Sequence, residues 1–368
     1  MTGHPVVAAN PATGPAVICR GVTIAYESTV VVSDLDLHVG QGEMLALLGP
    51  SGCGKTTILS ALAGFLPIRA GEIRIGGRVV AHGTQHTPPD RRDVGVVFQG
   101  YALWPHLDAL DTVAYPIRRR GVGATEARVQ ATAILKRLGI VDLAHRRPAE
   151  LSGGEQQRVG LGRALAREAG VYLFDEPTAH LDAALRDQLQ LEIADRRLRS
   201  GAAAVYATHD TAEALAIADR VALVRDGRLV QEGTPIEVYE RPVDLWAARL
   251  TGLASIIEIR IVPERDGTTR VEVAGSSQAA SLAAPGGIAP GHAHAIVRPD
   301  WLRLGGPIPG RVAAVAFRGA YTDYRLATPT GEIDLRAGGP PTVRLGEVVG
   351  WSIDRAWIPE GNVADQIV

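Results

Sequence analysis

Gly49-Pro50-Ser51-Gly52-Cys53-Gly54-Lys55-Thr56 fits the pattern G-x-x-x-x-G-K-[ST] of a phosphate-binding loop, and its reading decides the fold. Such a loop needs glycine because the backbone must curl tightly enough to aim successive N–H groups at phosphate oxygens; side chains would obstruct both the curl and the approach. In that arrangement Lys55 reaches the outer phosphates and the Thr56 hydroxyl reaches Mg²⁺. The required context is strand, loop, helix. Met44-Leu45-Ala46-Leu47-Leu48 is a short apolar run suited to a buried strand, and Thr57 to Leu62 continues as a helix former. A glycine-rich turn before an ordinary helix is the bland alternative, and the flanking strand and helix disfavour it.

A second nucleotide signature is Val171-Tyr172-Leu173-Phe174-Asp175-Glu176, four apolar residues that end in two acids. Carboxylates at the C-terminal end of a buried strand lie at the crevice where open parallel sheets bind ligands. There Asp175 is placed to hold Mg²⁺ and Glu176 to take a proton from, or orient, an attacking water. Leu151-Ser152-Gly153-Gly154-Glu155-Gln156 follows the pattern of a capping box, Ser152 standing three residues before Glu155, and opens an amphipathic helix through Arg158, Leu161 and Ala164. Gly153 and Gly154 leave bare N–H groups at the positive end of that helix.

With these motifs the chain resembles the ATP-binding cassette ATPases, and over its whole length the import-type subunits of the maltose, ferric iron, polyamine and aminoethylphosphonate uptake systems. The stretch LSGGEQQRV, residues 151–159, is the most specific part of the likeness. The resemblance implies that Ser152, Gly153 and Gly154 meet the γ-phosphate of ATP held by a second copy. It also matches Gln99 to the glutamine that touches Mg²⁺ and the attacking water, and His209 to the histidine that contacts the γ-phosphate. Tyr26 stands at the offset before Gly49 where the family places an aromatic ring on adenine, and Asp182 matches the loop between the two nucleotide sites. Ala179 and His180 depart from the residues usual there.

The implied fold is α/β: a P-loop NTPase domain of the ATP-binding cassette type over 16–250, followed by a small all-β, OB-like (TOBE) regulatory domain over 251–368. The first domain combines a parallel-sheet core, an antiparallel β subdomain and a helical subdomain at about 100–158. The implied cofactors are ATP and Mg²⁺, the loop residues 49–57 including Thr57 forming the cradle. The implied partners are a second copy, integral membrane permease subunits and, indirectly, an external solute-binding protein. The implied location is the inner face of the cell membrane, as a peripheral cytoplasmic subunit.

Composition agrees. A chain of 368 residues suits two domains, and a hydrophobic content of 46% suffices for packed cores. A formal charge of −2 provides no basic field to hold nucleic acid. The two cysteines, Cys19 and Cys53, form no disulfide framework or metal spacing, as expected in a reducing compartment. Met1 to Pro15 is not expected to be a secretory leader, and no run approaches the roughly 18 apolar residues of a membrane span. If the protein serves transport, the membrane path must belong to another chain.

Local patterns supply the rest. Ala16 to His38 alternates as strands around a Glu27-Ser28 turn, Gly71 to Val80 reads as a hairpin at Gly76-Gly77, and Val221 to Val230 as a hairpin at Asp226-Gly227. Ala124 to Leu138 keeps its apolar residues near one helical face, and Gly100 to His106 resembles the surface that receives a membrane subunit. After Leu253, short alternating runs at Ile256 to Val262, Thr269 to Val273, Ala295 to Arg298, Arg311 to Phe317, Thr322 to Leu326, Ile333 to Leu335 and Val348 to Ile353 predict strands. Ser281 to Gly291 is expected to be the longest loop, with His292 and His294 as solvated loop residues.

The function expected is ATP hydrolysis that drives solute import, each ATP sandwiched between Lys55, Thr56 and Asp175 of one copy and Ser152 and Gly154 of the other. A non-transport cassette ATPase would separate Gln99 from Leu151 by a long coiled coil or carry two cassettes, and neither is present. A non-hydrolysing regulatory subunit would be expected to lack Glu176 or His209. The solute is not encoded here, although the C-terminal motifs favour the iron, polyamine or phosphonate branch.

Overall fold

The computed structural model describes residues 14–98, 100–178, 201–263, 269–273, 276–279, 281–283 and 290–359, with 186, 190 and 193. The chain forms two compact units, one up to Pro235 and one from Ile236. At the centre of the first is a six-stranded sheet in the order Arg228–Gly233, Arg220–Arg225, Met44–Leu48, Ala203–Thr208, Val171–Asp175, Val94–Val97. All neighbours are parallel except the edge strand Arg228–Gly233.

Every residue of Met44–Leu48, Val171–Asp175 and Ala203–Thr208 is buried, which is why these strands read as unbroken apolar runs. Their side chains alternate between two cores. Leu45, Leu47, Leu173 and Val205 face the first, closed by Ile58, Leu59 and Leu62 of the helix Lys55–Ala63 and by Val22, Ile24, Val32 and Ile73 of a second sheet. Met44, Tyr172, Phe174 and Tyr206 face the second core. The helices Ala109–Arg119, Ala124–Arg137 and Gly153–Leu165 close it with Val113, Ile117, Ala131, Leu135, Val159 and Leu161. At about 1.5–3 kcal/mol for each fully buried large apolar side chain, neither face of the sheet can be left open.

The second sheet is antiparallel, in the order Thr29–Val39, Val17–Tyr26, Ala70–Ile75, Arg78–His82, Gln85–His86. The turns expected at Glu27-Ser28 and Gly76-Gly77 form, with Tyr26 opposite Thr29 and Ile75 opposite Arg78. At Asp226-Gly227 both residues have positive φ, 50° and 72°, the type I′ geometry that matches strand twist.

The helix Pro235–Glu240 lies at the start of the second unit. In the second unit the helix Leu245–Leu250 precedes two sheets. One runs Ser276–Ala279, Thr269–Val273, Ser255–Pro263, Gly291–Val297, Arg355–Trp357, Ser281–Ala283, and the other Gly331–Gly338, Tyr321–Thr328, Leu302–Phe317, Val348–Ile353. They share a core that includes Ile257, Ile259, Val297, Leu326, Leu335 and Trp351. Arg298 is fully buried and donates to the carbonyls of Ala248 and Tyr239 at 2.6 Å each and to Thr251 Oγ1 at 2.9 Å, with its guanidinium 4.2 Å from the Tyr239 ring centre. Burial lowers its pKa to about 10, so it stays charged at neutral pH. The Val297-Arg298-Pro299-Asp300 motif is thus a tie between helix and sheet.

Three expectations are corrected. Ser281–Ala283 is a strand, not part of a loop, because it pairs with Arg355–Trp357, a partner too distant in sequence for any local pattern to signal. Residues 284–289 lie outside the described residues. His292 and His294 belong to the strand Gly291–Val297, His292 standing opposite Arg260 with Nδ1 3.2 Å from Glu258 Oε1. Leu302–Phe317 also extends beyond the expected run, because Gly305-Gly306-Pro307 is absorbed as a bulge in which Trp351 pairs with both Leu304 and Ile308.

Gly227 shows how closely the first unit is fitted. A Cβ there would lie 1.9 Å from the Val31 carbonyl oxygen, at a φ that side chains disfavour. Gly227→Ala is expected to lower stability by about 1–3 kcal/mol, measured as a reduced urea midpoint; an unchanged midpoint would contradict this packing.

Candidate nucleotide site

The phosphate loop connects Met44–Leu48 to the helix Lys55–Ala63. That helix starts at Gly54 with φ 108°, has no side-chain cap and no acid in its first turn. Its first N–H groups and positive dipole end are therefore open to an anion. At the other end Arg92, buried, donates to the carbonyls of Ala61 at 2.6 Å and Leu62 at 2.8 Å, and burial lowers its pKa to about 10. Its charge favours the negative end of the helix dipole.

The loop itself is pinned. The Gly227 N–H donates to the Cys53 carbonyl at 2.9 Å, and a Cβ on Gly49 would lie 2.3 Å from the Val224 carbonyl oxygen. Lys55 is buried, with Nζ donating to the carbonyls of Gly49 at 2.7 Å and Pro50 at 3.0 Å. Cys53, Gly54 and Thr57 are also buried, whereas Pro50, Ser51, Gly52 and Thr56 face outward.

Thr56 Oγ1 donates to Asp175 Oδ1 at 3.1 Å, joining the loop to the end of the Val171–Asp175 strand. Burial raises the Asp175 pKa, partly offset by the Thr56 bond. A carboxylate in that setting is stabilised by a cation, and a hydroxyl beside a carboxylate is the hard oxygen set that suits Mg²⁺.

Glu176 follows with φ 48°, a conformation costing about 1–3 kcal/mol in a residue other than glycine and characteristic of functional turns. Its N–H donates to the Ala207 carbonyl at 3.0 Å. From the helix Gly153–Leu165, Gln157 Nε2 donates to the carbonyls of Glu176 at 3.4 Å and Pro177 at 2.5 Å. The Glu176 carboxylate Oε1 lies 2.8 Å from Nδ1 of His209, which follows the adjacent parallel strand Ala203–Thr208. Lys55, Thr56, Asp175, Glu176 and His209 are thus brought to the C-terminal ends of neighbouring strands.

Sequence reasoning missed the support behind this pair. Glu213, buried, accepts hydrogen bonds from Tyr206 at 2.5 Å, from Thr208 at 2.6 Å and from Thr178. The available signal was Asp210 three residues before Glu213, the pattern of a helix start, and Asp210 does cap the helix Thr211–Ile217.

The remaining candidates are placed as follows. Tyr26 is half exposed at the hairpin tip of the antiparallel sheet, whose next strand brings Val32 against Gly54. Ser152 forms the expected capping box: Glu155 accepts from the Ser152 N–H at 2.7 Å, a bond that holds the Glu155 carboxyl below its usual range, and Ser152 and Gly153 are exposed. Gln99 and Asp182, with Ala179 and His180, lie outside the described residues. After Gln99, Tyr101 and Ala102 both have positive φ, 57° and 46°, and Arg163 of the helix Gly153–Leu165, the helix of the LSGGEQQRV signature, donates to both carbonyls while lying 5.3 Å from the Trp104 ring centre.

No helix among the described residues is long and apolar enough to cross a membrane. The sequence pattern of the ABC transporter family matches residues 32–179, and that of the TOBE domain residues 295–358. The chain is 38% identical over 355 residues to a Fe(3+) ions import ATP-binding protein of Rhizobium meliloti (strain 1021), covering 95% of this chain and 94% of that protein. It is 37% identical over 326 residues to a spermidine/putrescine import ATP-binding protein of Thermobifida fusca (strain YX), covering 85% and 84%. Among solved structures, the dimeric post-hydrolysis state of the ATP-binding cassette MJ0796 bound to ADP and Pi superposes with a TM-score of 0.55 at 29% identity, covering 60% of this chain and 98% of that one. The cradle, the paired acids and the capped signature helix therefore belong to an ATPase of the ATP-binding cassette transporter family, of the importer type that carries a TOBE domain.

Proposed function

We propose that two copies of this chain clasp two ATP molecules and couple their hydrolysis to solute uptake through separate membrane subunits. The observation that carries this reading is the Glu176–His209 contact of 2.8 Å beside the Thr56–Asp175 bond, at the mouth of a buried phosphate loop. The ATPase region is taken as 16–250, with its helical part at about 100–158, and the regulatory β domain as 251–368.

In this reading the N–H groups of the loop and the Lys55 ammonium bind the β- and γ-phosphates. Thr56, Asp175 and Gln99 hold Mg²⁺, which when bound neutralises charge on the phosphate oxygens. Glu176 accepts the proton of the water that attacks the γ-phosphorus while the bond to the β–γ bridging oxygen breaks, and ADP leaves. Because Nδ1 of His209 is engaged by Glu176, Nε2 is the nitrogen presented to the γ-phosphate. Ser152, Gly153 and Gly154 of the second copy complete each site, with the Asp182 loop between the two. The dimeric, ADP- and Pi-bound relative supports this arrangement.

The Gly100 to His106 stretch and the helical part receive the membrane subunits at the inner face of the cell membrane, and an external binding protein delivers the solute. The names of the relatives favour ferric iron as that solute, ahead of polyamines.

Glu176→Gln is expected to keep ATP affinity, trap the dimer on size-exclusion chromatography and lower turnover by about two or more orders of magnitude. Normal turnover would refute the role of Glu176. Tyr26→Ala should weaken ATP by about 1–3 kcal/mol, as for base stacking on an aromatic ring, in a nucleotide titration. An equal loss for a triphosphate lacking adenine would make Tyr26 structural. In the assembled transporter, iron-loaded binding protein should stimulate ATP turnover more than a polyamine-loaded one, and the reverse order would exclude iron.

A further inference from the structure

We propose that Glu213 is a positioning residue for ATP hydrolysis, a buried carboxylate that ties the segment behind Glu176 to the segment in front of His209 and thereby fixes that pair. The proposal rests on the roles given above to Glu176 and His209.

Thr178, two residues after Glu176, donates through Oγ1 to Glu213 Oε1. Thr208, immediately before His209, donates through Oγ1 to Glu213 Oε2 at 2.6 Å. One carboxylate thus grips both flanks, each oxygen holding one. Tyr206 donates to Oε1 at 2.5 Å and Gln190 at 3.3 Å. Burial and the neighbouring Glu213 charge push the Tyr206 phenol well above its ordinary pKa, so it remains a donor.

Glu213 is itself anchored. Its N–H donates to Asp210 Oδ1 at 3.1 Å, and the Asp210 N–H donates to Thr208 Oγ1 at 2.9 Å, which closes the cluster around the His209 backbone. A buried carboxylate is expensive to hold in the fold unless its oxygens are engaged, and here the donors come from both segments that carry the reacting pair. Glu176 needs such support, since its backbone adopts a left-handed conformation at φ 48°. A fixed neighbour on each side keeps the 2.8 Å contact from opening.

Glu213→Leu would strand buried hydroxyls, and unfolding would obscure its effect. The test therefore uses Thr178→Val and Thr208→Val in the full-length chain, each removing one tether at nearly constant volume. Each is expected to lower kcat by about ten- to a hundredfold with the ATP KM within about threefold, as displacement of a reacting group does. Thr178→Val added to Glu176→Gln should cause no further loss in single-turnover hydrolysis, because the tether acts through Glu176. Both variants turning over within about twofold of the native chain, or losses that multiply in the double variant, would overturn the positioning role. Normal turnover by Glu176→Gln alone would remove the reading beneath the proposal, whereas an inactive Glu176→Gln beside fully active threonine variants would overturn the role of Glu213 alone.

Discussion

The central parallel sheet is apolar on both faces, and most of the first unit answers that constraint. Leu45, Leu47, Leu173 and Val205 on one side, and Tyr172, Phe174 and Tyr206 on the other, must both be removed from water. The phosphate-loop helix and the antiparallel sheet cover one face, the helical region the other. With both faces occupied, polar chemistry is left to the strand ends. Asp175, Glu176 and His209 appear there, at the C-terminal ends of adjacent parallel strands, next to the loop that leaves a third.

Electrostatics then divides the site into fixed and responsive parts. The helix Lys55–Ala63 has an uncapped positive end toward the loop and the Arg92 charge at its other end, so its polarity is fixed by the fold. Asp175 is the responsive member: burial raises its pKa, and the Thr56 hydroxyl only partly offsets that cost. A cation beside it would relieve the remainder, so the Mg²⁺ binding proposed for this site would follow from how the strand ends are packed.

The sequence carried much of this because the decisive signals are local. Residues 49–56, the Leu151–Gln156 capping box and the Asp226-Gly227 turn each specify their own backbone through glycine conformation or a three-residue side-chain reach, and no distant partner is needed to read them. The Glu213 cluster was not legible. Its members, Thr178, Tyr206, Thr208 and Glu213, are ordinary residues whose meaning comes only from the pairing of Val171–Asp175 with Ala203–Thr208. The Ser281–Ala283 strand failed for the same reason, since its partner lies at the far end of the chain. At Gly305-Gly306-Pro307 the local signal was present but misleading: glycine and proline there serve a bulge around Trp351 and do not end the strand.

Gln157 joins these levels. Its side chain is buried and aimed at two carbonyls, which only the amide NH₂ end can satisfy, so its orientation is fixed by chemistry. It sits little more than a turn along the helix that Ser152 caps, and it grips the backbone of Glu176 and Pro177. A rigid helix therefore has its exposed tip at one end and, close behind, a direct hold on the strained segment that carries the candidate base. If that tip engages a nucleotide on a second copy, as proposed, a force on the tip is delivered to Glu176 of its own chain without passing through the sheet. The two sites of a dimer would then be coupled through the hydrogen bonds that one glutamine side chain in each copy donates to the carbonyls of Glu176 and Pro177.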